Sequence, residues 1–82
     1  MSTARIRLPA TLDQLLRSEL EVCIQEANLG TVDERIAREY MLDKTPQVEI
    51  AAELDWTRTT MSRHIKHIVR KVEETSRRLE LI

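Results

Sequence analysis

The stretch from Gln47 to Lys66 reads QVEIAAELDWTRTTMSRHIK. Its apolar residues fall at Val48, Ile50, Ala51, Leu54, Trp56, Met61 and Ile65. That spacing predicts two short helices packed steeply around a tight turn. Ala51 is small where such helices cross most closely. Asp55 stands where turns of this kind most often place Gly, and Asp tolerates a left-handed backbone better than most residues. Thr57 is suited to cap the helix that follows. Beyond the turn, Thr57, Arg58, Thr59, Ser62, Arg63, Lys66 and His67 are set outward. Side chains of these types reach base edges and phosphates in a major groove.

Working outward from this stretch, the whole chain reads as all-α, a small helix-turn-helix domain of about four helices. Residues 1–10 form a short extended arm in this reading: Ala4-Arg5-Ile6-Arg7-Leu8 alternates, and Pro9 discourages helix before it. The first helix is expected from Thr11 to Asn28, with Thr11 and Gln14 at capping-box spacing. Leu12, Leu15, Leu16, Leu20, Cys23, Ile24 and Ala27 make its apolar stripe, and Gly30 its left-handed end. A second helix is expected from Thr31 to Asp43, with Thr31 and Glu34 again at capping-box spacing. Val32, Ile36, Ala37, Tyr40 and Met41 are its buried side. The third helix has Thr45 as N-cap and Pro46 in its first turn, and runs to about Leu54.

Nothing breaks the fourth helix between Arg58 and Leu81. Met61, Ile65, Ile68, Val72, Thr75, Leu79 and Ile82 recur at alternating steps of four and three, the spacing of a coiled-coil seam. The domain core needs the first three of these. Residues 67–82 read as an extension of a domain spanning 11–66, with Ile68, Val72, Thr75, Leu79 and Ile82 as a homodimerisation seam. In the competing arrangement the tail folds back on the first helix of its own domain.

Eighty-two residues make one domain with a modest core. One Gly, no Phe and 33% charged residues favour a soluble helical fold. The net charge of −1 conceals an asymmetry. Glu19 to Asp55 carries ten acids against three bases, whereas Thr57 to Arg78 carries seven bases against two acids. Screening confines charge effects to about 10 Å, so the local basic helix outweighs the global balance. No apolar run approaches membrane-spanning length, and MSTARIRLPA lacks the apolar stretch of a signal peptide. Cys23 is alone, and with His64 and His67 it gives no zinc spacing. A cytoplasmic setting is expected, with no metal or cofactor.

From about Thr31 to Glu74 the chain resembles the TrfB/KorA-type transcriptional repressors of conjugative plasmids. The resemblance is carried by Ile36-Ala37-Arg38, by Leu42-Asp43-Lys44-Thr45-Pro46-Gln47, and by Leu54-Asp55-Trp56-Thr57-Arg58 with Ser62 following. It implies a small dimeric repressor on palindromic operators in promoters of plasmid maintenance and conjugation genes. It places Arg58 on the family's base-reading Arg. Arg63 stands where the family has Gln, and Thr59 and Thr60 replace smaller residues. The family's further C-terminal dimerisation segment has no counterpart here, which leaves pairing to the helix tail or to another surface.

The residues themselves suggest roles on double-stranded DNA. Arg58 and Arg63 donate to guanine O6 and N7. Thr57, Thr59, Thr60 and Ser62 supply phosphate or base contacts. Gln47 grips a phosphate from the start of the third helix, and Lys66 and Arg70 neutralise flanking phosphates. His64 and His67 read as packing residues or phosphate neighbours, and Trp56 as core. Two other readings compete. Arg5 and Arg7 followed by a helix resemble the start of a ribbon-helix-helix repressor, and the acidic first half would suit a helical protein-protein adaptor with a basic partner. An enzyme is not expected, for lack of paired acid–base groups, a phosphate loop or a metal cluster. The operator and any co-repressor are not legible.

Overall fold

A computed structural model describes residues 8–81, and every regular element among them is helical. The arm's Arg5 and Arg7, and Ile82 of the seam, lie outside the described residues. The helices are α1 (Ala10–Asp13), α2 (Arg17–Glu26), α3 (Thr31–Ala37), α4 (Gln47–Leu54) and α5 (Arg58–Arg78). A π-helical turn, Arg38–Leu42, continues α3. One core joins them all, and α5 runs through its middle.

The expected first helix is broken in two. On an unbroken helix Leu12, Leu16 and Leu20 would share a face. Instead Leu12 and Leu20 are buried while Leu16 is 66% exposed. The break lets α1 turn onto the C-terminal half of α5, where the Thr11 hydroxyl donates to Glu73 at 2.8 Å. Thr11 therefore caps nothing, and Pro9 occupies the N-cap of α1. At the start of α2 the Glu19 carboxylate accepts from the Leu16 N–H at 2.8 Å, which satisfies one of the helix's free donors.

Two further caps differ from expectation. Asn28, at φ 57°, is the left-handed residue after α2, and Gly30 instead precedes α3 with φ 94°. Thr31 is then the first helical residue and not its cap, and Glu34 pairs with Arg38 at 3.4 Å. Likewise Pro46, and not Thr45, is the N-cap of α4. Val32 and Val48, expected inside, are 49% and 60% exposed. The π turn compensates: Tyr40, Met41 and Leu42 are all buried, three successive residues that an ordinary helical turn would fan out. Its wider ring closes with the Asp43 N–H on the Arg38 carbonyl at 3.1 Å.

The seam on α5 is intramolecular. Ile68 and Val72 are fully buried, Thr75 is buried, and Leu79 packs half-buried against the same cluster. These residues face α1 and α2 of their own chain. Ile68, Val72, Thr75 and Leu79, expected to pair two chains, thus pack within their own chain, and α5 runs unbroken across the expected boundary at 66/67. A 4-3 spacing records one continuous apolar face and is blind to whose helix covers it. The end of α5 is tied to the end of α2 by Arg78, which donates to the Glu26 carbonyl at 3.3 Å.

Candidate nucleic-acid interface

The turn between α4 and α5 is closed by backbone. Asp55 takes the left-handed conformation at φ 58°, ψ 39°, as its residue type permits. The Trp56 N–H then reaches the Ala51 carbonyl at 2.9 Å. Ala51 is buried at the crossing. Thr57 caps α5, its hydroxyl oxygen accepting from the Thr60 N–H at 3.1 Å. The two threonine hydroxyls also meet at 3.0 Å. Thr57 and Thr60 thus hold the start of α5, and both remain exposed.

Core residues Met61, Ile65, Ile68 and Val72 fix which side of α5 looks outward. That outward side carries Thr59, Arg63, Lys66, His67 and Arg70, all exposed. By helical geometry the other four lie within about 60° of Arg63 around the helix. An open cleft of about 340 Å³ runs between Arg63, Lys66, His67 and Arg70. Arg58 is exposed too but projects about 140° away from Arg63, so the two expected guanine readers do not share a face. Ser62 is half-buried on the flank, and Gln47 is half-buried in the first turn of α4.

The ion pairs sort the cations into two groups. In the acidic half, Arg17 meets Asp43 at 3.3 Å, Arg35 meets Glu39 at 2.9 Å and Arg38 meets Glu34 at 3.4 Å. Among the described residues Arg58, Arg63, Lys66 and Arg70 have no carboxylate within ion-pair distance. Arg63, Lys66 and Arg70 form a strip of uncompensated positive charge, with Arg58 apart on another side of the helix, on a protein whose overall charge is −1.

A further cluster was not legible in the sequence. His64 Nδ1 lies 2.8 Å from an Asp33 carboxylate oxygen, across 31 residues of chain. The His64 ring also sits on Trp56, with centroids 4.5 Å apart and planes inclined at 45°. Trp56, expected in the core, is half-buried at its edge. Nothing local marks Asp33, which reads as an ordinary first-turn acid until α3 is set against α5. Away from this surface, burial and the nearby Glu19 push the Cys23 thiol up. Burial alone pushes the Tyr40 phenol up.

No group of three His, Cys, Asp or Glu side chains among the described residues is placed to hold a metal ion. No helix among them is long and apolar enough to cross a membrane. Comparison with protein-family models, curated proteins and solved structures finds no match.

Proposed function

We propose that this protein binds double-stranded DNA sequence-specifically through the outward face of α5 and acts as a transcriptional repressor. One observation carries the reading: a capped helix, following a tight turn, presents Arg63, Lys66 and Arg70 side by side without carboxylate partners. Such a face fits the major groove, where phosphate attraction supplies affinity and bidentate Arg–guanine pairing supplies selectivity. Arg63 is the base reader in this scheme. Lys66 and Arg70 anchor phosphates. Arg58, on its own side of the helix, meets a backbone strand flanking the groove. Thr59 lies beside Arg63 as a further base or phosphate contact, and Gln47 offers a phosphate contact from α4. Repression follows by occlusion of promoter elements.

The resemblance to TrfB/KorA-type repressors supports a palindromic operator and a plasmid setting. Two-fold pairing on such an operator must use a surface other than the buried seam of α5.

The test is selection of bound sequences from a random duplex pool. Enrichment of one preferred sequence, bound in a salt-sensitive manner, is expected; an unenriched pool overturns the reading. Arg63→Ala then relaxes preference at one base position by about 1–3 kcal/mol. Lys66→Ala weakens binding to every sequence and lowers the salt slope by about one unit. Equal behaviour of the two variants across operator sequences would refute this division of roles.

A further inference from the structure

We infer that Asp33, His64 and Trp56 form a positioning clamp that sets the rotation of α5, and hence the sequence selectivity of its outward face. The inference rests on the DNA-binding reading above and deepens it by naming residues that touch no base.

The three residues come from the three parts of the candidate interface. Asp33 belongs to the first turn of α3, Trp56 to the turn after α4, and His64 to α5 itself. The Asp33 side chain is only 17% exposed and that of His64 is 38% exposed, so the 2.8 Å bond between them is partly shielded from water. A carboxylate only accepts, so His64 Nδ1 carries the proton and donates. The bond is thereby charge-assisted. Trp56 backs the ring at 4.5 Å and restricts its swing.

Apolar packing fixes which side of α5 faces inward but sets no bond direction at its N-terminal turns. Met61 and Ile65 bury area there, and burial is non-directional. A hydrogen bond constrains angle as well as distance. The lever matters: a side chain about 6 Å from the helix axis moves about 2 Å for a 20° rotation. Recognition geometry tolerates roughly 0.5 Å. Arg63 is adjacent to His64 in sequence, so whatever fixes the ring also fixes where the guanidinium leaves the helix. The neighbouring charges do not compete for Asp33. Glu34, on the same helix, pairs with Arg38, and Arg35 pairs with Glu39 and Glu53.

The test compares affinity for the duplex selected from the random pool with affinity for a scrambled duplex, at one salt concentration, by fluorescence anisotropy. Asp33→Ala, His64→Ala and the double variant are measured, with folding checked by circular dichroism. Each single change should reduce the selectivity ratio about tenfold, the worth of one charge-assisted hydrogen bond. The double variant should be no worse than either single one. Asp33→Asn, which loses the same charge but keeps an acceptor, should lose less, about threefold, because a neutral acceptor makes a bond about half as strong. Unchanged selectivity in Asp33→Ala, or an equal loss on both duplexes, overturns the clamp while leaving DNA binding in place. Wild-type protein that binds no duplex overturns both. Should the alanine variants not fold, the ring ¹⁵N shifts of wild-type His64 decide. A bonded Nδ1–H in the free protein and in the selected complex supports the clamp, and its loss in that complex overturns it.

Discussion

Gly30 is where a single backbone angle has most at stake. Its φ of 94° with ψ 161° belongs to a region that L side chains rarely adopt, yet a Cβ there would meet nothing within 4 Å. The residue is needed for conformation and not for space. Gly30→Ala should therefore cost about 1–3 kcal/mol in urea unfolding. Tyr40 and Cys23 make a second residue-scale prediction. Both groups ionise at higher pH in the folded state than in the unfolded chain. Their contribution to stability is fully present below their ordinary values and is lost as pH rises through the raised ones. Thermal unfolding temperature should thus decline above about pH 9. Tyr40→Phe should flatten that decline and leave stability near pH 7 almost unchanged.

Among the elements, α5 combines two jobs on opposite sides. Its inner side was legible from the sequence: Met61, Ile65, Ile68, Val72, Thr75 and Leu79 are one stripe, and all six pack inward. What covers that stripe was not legible, because a seam of Ile, Val and Leu fits α1 and α2 as well as a second copy. Ile68→Ala tests the distinction. It should cost 2–5 kcal/mol, the range for emptying a buried aliphatic site. The oligomeric state of the folded protein should be unchanged by the substitution, as it would not be if the seam joined two chains. Helix bounds were legible at Asp55 and Thr57, where backbone preference and a local cap fix them. They failed where distant packing overrides propensity. Leu15 and Leu16 favour helix, yet the chain bends there so that Leu12 and Leu20 can both reach the core. Thr11 left a capping role for a partner 62 residues away, Glu73.

At the scale of the whole molecule, charge is separated by pairing. Arg17, Arg35 and Arg38 are neutralised within the acidic half, while the basic strip of α5 is left uncompensated. The candidate site was therefore legible as a composition shift along the chain. The split between Arg58 and Arg63, and the Asp33–His64 pair, required three dimensions. If Arg58, Lys66 and Arg70 each displace one phosphate counterion, log affinity should fall by about 2.7 per tenfold rise in salt for each protomer. A slope near zero, measured across a salt series, would mean that this strip does not meet the duplex.

The division of α5 into an inner and an outer side has an evolutionary and a practical consequence. Positions 59, 63, 66, 67 and 70 can be exchanged as a set without disturbing what lies behind them. On the proposed DNA-binding reading, new sequence preferences would be reached by changing five outward side chains, with the remainder of the chain serving as a fixed mount.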